Sequence, residues 1–170
     1  MQSSSLVVAG LEPEAQFILE QLLEQAQSAL AKGATLPPVI FLLSNDMRSI
    51  TPLTLNTESA ESKRLSMVLA SAVAREINAS HSITIVEAWG VEGAVDASRS
   101  GPISEMPERL DSLFVSIEST QKQWSSWAIL VPTEDRKGRR PREPVKFESF
   151  RSLQGTLCGV LTPADKGPLH

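Results

Sequence analysis

Inside the run SITIVEAWG, residues 82–90, one acid stands in phase with two isoleucines: Glu87 follows Ile83 and Ile85 at two-residue steps. A carboxylate on the buried side of a strand is either neutral or partnered, because removing an isolated charge from water is costly. Three readings follow. Glu87 is a general base, metal ligand or ligand anchor at the mouth of a cleft. It is the acid of a structural ion pair, with Arg109 as its cation. Or it reaches water where the strand ends. The pairing with Arg109 is the favoured reading, because a strand at 111–118 laid against 82–89 brings their ends together. Trp89 and Arg99 complete this candidate ligand or structural cluster of Glu87, Trp89, Arg99 and Arg109.

Other chemistry is sparse. The segment RKGRRPREPVK holds Arg136, Lys137, Arg139, Arg140, Arg142 and Lys146 against Glu143. The first five are candidate phosphate contacts. Glu134 and Asp135 stand just before them, and no aromatic is interleaved as single-strand binders prefer. A solvated hairpin loop is therefore the expectation, and nucleic acid is not the expected partner. His81 and His170 are far apart, HExxH is absent, and the lone Cys158 lies in an apolar TLCGVL run, so no zinc site is expected. GxSxG, GxGxxG and GxxxxGK[ST] do not occur, which leaves no nucleophile elbow and no phosphate-cradling loop. The sequence implies no cofactor and leaves an enzymatic activity undecided, leaning against one.

The elements that must position these residues follow from periodicity. Leu11, Ala15, Ile18, Leu22, Ala26 and Leu30 recur at three- and four-residue steps, with Pro13 at the start and Gly33 at the stop, which predicts a helix over 13–32. Val39 to Leu43 is a continuous apolar run, the pattern of a strand covered on both sides. ITPLTLN alternates as its return strand, with Pro52 placing it at an edge or starting it after the proline. A second helix is predicted from Thr57, as cap, to Asn78, with Leu65, Val68, Leu69, Ala72, Val73 and Ile77 as its buried face. Beyond it the chain reads as β: 82–89, then 111–118, then WSSWAILVP, with VKFESF and GTLCGVL as weaker final strands. Trp127 is in phase with Ile129 and Val131 and reads as core, while Trp124 is ambiguous. The loop over 90–108 is long and reads as a solvent-exposed connector rather than a lid.

These elements make an α+β protein, two helices packed on a largely antiparallel sheet of about six strands in the order helix-strand-strand-helix-strand-meander. One domain is expected over 11–163, with flexible ends at 1–10 and 164–170; a chain of 170 residues buries enough surface to need no staple. The net charge of −4 gives no general attraction to nucleic acid or anionic membrane. One cysteine, no basic leader and no apolar run of membrane-spanning length point to a soluble cytoplasmic protein.

VEAWG at 86–90, MPERLDSLFVSIES at 106–119 and the following WAILVP together resemble a loosely defined set of uncharacterised small bacterial and phage-associated proteins, in which a Glu-Ala-Trp strand end precedes a Pro-x-Arg turn. The resemblance covers 82–132 and carries no activity. It implies only that Glu87, Trp89 and Arg109 belong together. The expected function is therefore that of a protein-interaction or assembly protein, prophage-related as one option, which binds a partner or forms a homo-oligomer through sheet edges. The alternative is an enzyme or small-ligand binder with its site around Glu87 and Arg109.

Overall fold

The structure, a computed structural model, describes residues 7–90, 105, 107–150, 160 and 161. Helix α1 spans Pro13–Ala31. Its end is a Schellman motif. Gly33 has φ 87° and donates its N–H to Leu30 O, and the Ala34 N–H reaches Ala29 O. Strands β1 (Val39–Ser44) and β2 (Ile50–Thr54) form the predicted hairpin. Helix α2 spans Ala60–Glu76. Its cap is Ser59 rather than Thr57. Ser59 and Ser62 satisfy each other's backbone N–H groups in a capping box, a hydroxyl cap two residues beyond Thr57.

Strand β3 (Ala79–Gly90) then runs antiparallel to β1, β4 (Leu110–Ser119) to β3, and β5 (Gln123–Pro132) to β4. Short strands β6 (Arg139–Pro141) and β7 (Glu148–Phe150) share the far edge of β5. The sheet order is β2-β1-β3-β4-β5-β6, antiparallel throughout, as the α+β reading requires. The pairing of 82–89 with the next strand also holds, with Glu87 opposite Leu113 and Gly90 opposite Leu110.

The two helices lie on opposite faces of this sheet. Ala15, Leu19, Leu23, Ala26 and Leu30 of α1 pack on Leu43, Ile83, Ile85, Leu113, Val115 and Ile117, one face of β1, β3 and β4. Most of these side chains are fully buried, each stabilising the fold by about 1.5–3 kcal/mol if aliphatic and large. Ala70 and Ala74 of α2 pack on Ile40 and Leu42, the opposite face of β1, together with Leu55 and Val160. So β1 is covered on both sides, as its unbroken apolar run foretold. Val8, ahead of α1, is buried in the first core, and the Trp124 indole donates to Ala9 O at 3.0 Å.

Part of the buried face predicted for α2 is corrected. Leu65, Val68 and Leu69 are 53%, 56% and 60% exposed, and Ala72 is exposed too. Val73 and Ile77 do pack on the sheet, with Met67, around the buried Ala70 and Ala74, whose small size permits close approach, while Leu65, Val68 and Leu69 turn outward. Periodicity finds an apolar stripe but does not say which stripe meets the sheet.

Candidate functional site

Glu87 lies on the α1 face of β3, near the end where the sheet meets the C-terminus of that helix. Its Oε1 pairs with Arg139 Nη2 at 2.5 Å, and its Oε2 accepts the Leu36 N–H at 2.6 Å. The cation is therefore Arg139, not Arg109. The expected anchor exists, but its partner comes from β6, fifty-two positions along the chain. Arg139 sits opposite Pro132, whose alternation puts it on the same face as Glu87, and its other nitrogen reaches Asp111 at 3.7 Å. Arg109 instead lies over the Trp89 indole, 5.0 Å from the ring centroid, a cation–π contact. With one oxygen held by a guanidinium and the other by a backbone N–H, Glu87 is arranged as an anchor for Leu36 and β6.

The rest of the basic segment is spread around a tight turn. Thr133 N–H donates to Gly138 O, Asp135 Oδ1 accepts from the Thr133 hydroxyl and the Lys137 N–H, and Arg136 has φ 56°. Those two bonds hold the Asp135 carboxyl below its ordinary range, the Thr133 hydroxyl first and the Lys137 N–H second. Arg140 donates to Pro141 O, and Arg142 lies beyond β6, its N–H on Ile129 O. Arg139 is thus a structural cation, and the five candidate phosphate contacts do not form one cradle. Arg99, most of the loop over 90–108, and Cys158 lie outside the described residues.

The tryptophans do not cluster. Trp124 is buried on the α1 face, and Trp89, on that same face, is half exposed. Trp127 is on the opposite face and 41% exposed, which corrects its reading as core. It shares that face with Ile129 and Val131 as expected. However, α2 packs on the β1–β2 side of the sheet, and the Trp127 ring rests on Gly90, where any Cβ would collide with it.

One constellation is absent from the sequence reading. A register shift between Leu43 and Ser44 makes Ser80 the extra residue of a β-bulge. Its Oγ lies 2.9 Å from His81 Nδ1, and His81 Nε2 lies 2.6 Å from Glu12 Oε2. His81 is buried, and these residues border a cleft of about 320 Å³ shared with Glu14, Asn45, Asp46 and Met47. Partial burial raises the Glu12 carboxyl, but its backbone N–H bond, then the His81 hydrogen bond and charge, outweigh it and hold it below 4.5. The Asp46 carboxyl is also held low, by the Ser44 hydroxyl and the Arg48 N–H. The only sequence signal was Ser80-His81 itself. The acid that completes it is sixty-nine residues away, and no spacing rule links them.

Among the described residues, no group of three metal-ligating side chains is assembled, and no helix is long and apolar enough to cross a membrane. No family model matches the chain, and no curated protein or solved structure matches it either.

Proposed function

We propose that this chain is an assembly protein that works by associating through the outer face of α2, with a second copy of itself as the partner. The observation that carries this is the stripe Leu65, Val68 and Leu69, more than half exposed at helical spacing, while Ala70 and Ala74, with Met67 and Val73, face the sheet. Exposed contiguous apolar surface of this kind marks an interaction face. The flanking charges favour self-pairing. Exposed Glu61 lies one turn before Leu65, and exposed Arg75 lies one turn beyond Ala72. Two α2 helices laid antiparallel about a twofold axis near Val68 and Leu69 bring Glu61 of one copy to Arg75 of the other.

The sheet edges support association by helix instead of by strand. Pro52 in β2 offers no donor, and the far edge of β5 is broken between β6 and β7 by a charged segment containing Pro144. Sedimentation velocity tests the proposal. The expected species has twice the 18.4 kDa chain mass. Leu69→Asp, on an exposed face, gives a folded monomer, Glu61→Lys weakens the dimer, and adding Arg75→Glu restores it. A wild type that stays monomeric at millimolar concentration overturns the proposal.

A further inference from the structure

We propose that Ser80, His81 and Glu12 form an acyl-transfer site that hydrolyses small, neutral or cationic carboxylic esters in the cleft between the start of α1 and the β1–β2 turn. Three observations carry it. The hydrogen-bond chain has the order hydroxyl, imidazole, carboxylate, at 2.9 and 2.6 Å. The carboxylate on Nε2 fixes the ring proton there, which leaves Nδ1 as an acceptor for the Ser80 hydroxyl proton. The alternative acceptor, Ser44 O, is distant at 3.4 Å. Second, the His81 side chain is 4% exposed while Ser80 is only half-buried, so the base is shielded and the nucleophile accessible. Third, the bulge turns Ser80 out of the ladder beside a cleft of about 320 Å³, a volume suited to a small ligand.

The step balances without a co-reactant other than water. The Ser80 Oγ–H proton passes to His81 Nδ1 as Oγ bonds the ester carbonyl carbon. The bond from that carbon to the alcohol oxygen then breaks, and the proton on Nδ1 goes to the departing alkoxide. Water, deprotonated by the same nitrogen, releases the acid and restores the Ser80 hydroxyl. Asn45 borders the cleft and carries an amide N–H of the type that stabilises the oxyanion. Glu12 is a positioning residue. Glu14 and Asp46 on the rim repel carboxylate-bearing esters and favour cationic ones.

The test uses the full chain with 4-nitrophenyl acetate, a trimethylammonium-bearing ester, and a fluorophosphonate probe mapped by mass spectrometry. The expected results are an adduct on Ser80, preference for the cationic ester over an anionic one, and a loss of roughly 100-fold or more in Ser80→Ala. Glu12→Gln lowers kcat with KM unchanged, and Glu12→Asp recovers part of it, which a mere tether of the helix would not do. A folded wild type with no Ser80 adduct, or Ser80→Ala hydrolysing as fast as wild type, overturns the proposal. Because Ser80 is half-buried, its alanine variant folds, which circular dichroism checks.

Discussion

Glu87 and Arg139 show why a partner's identity matters more than its existence. Glu87 is mostly buried and Arg139 partly so, and each is held by a second contact. Removing the cation alone leaves a shielded carboxylate with one neutral donor. Arg139→Met is therefore expected to destabilise the fold by about 1–3 kcal/mol, and Glu87→Gln by less, because the amide still accepts from Leu36. A double-mutant cycle in urea unfolding checks the assignment: Glu87 with Arg139 shows coupling, and Glu87 with Arg109 shows none. At the same scale, Glu12 predicts a pH dependence. Its carboxyl is depressed in the folded state, so its contribution is fully present above about pH 4.5 and is lost as pH falls through its lower folded value. The melting-temperature gap between wild type and Glu12→Gln should narrow as pH falls from about 4.5 through that lower value.

Among the elements, the β5–β6 turn and the end of α1 are fitted to each other. A Cβ on Gly138 would overlap the carbonyls of Leu30 and Ala31, and one on Gly33 would approach Lys137 O at 2.5 Å. The turn can close on the helix terminus only because both positions lack side chains, and this contact delivers Arg139 to Glu87. Gly138→Ala should push the hairpin off the helix, costing about 1–3 kcal/mol by overpacking and weakening the Glu87–Arg139 pair. Thermal unfolding measures the loss. The Glu87–Arg139 coupling, remeasured in that background, should fall.

At the scale of the whole molecule, the described residues cover the two faces of the sheet differently. One face is closed by α1 over β1, β3 and β4. On the other, α2 packs on the β1 side. Beyond it, Ser82, Thr84, Ser112, Ser116 and Glu118 are buried polar residues on β3 and β4, and the Leu161 N–H donates to Glu118. Burial of hydroxyls there, with Ser82 and Ser116 lacking a hydrogen-bond partner, makes that side less strongly cohesive than the α1 side. On the proposed function, the exposed apolar stripe of α2 is the contact for a second copy. If dimerisation is coupled to folding, the wild-type melting temperature rises with protein concentration and that of Leu69→Asp does not. Differential scanning calorimetry over a concentration series reads this directly.

Local chemistry determined much of this protein from sequence. The bounds of α1, the doubly covered β1, the hairpin over Pro52 and the β3–β4–β5 meander were all legible. Each rests on a period of two or 3.6 residues, or on a proline or glycine acting within a few positions. The tertiary structure alone decided which cation met Glu87, which side of α2 faced the sheet, and that Glu12 reached His81. These contacts join residues about fifty or more positions apart, or choose between two faces of one helix. The choice depends on how close two glycines or a pair of alanines let the backbones come.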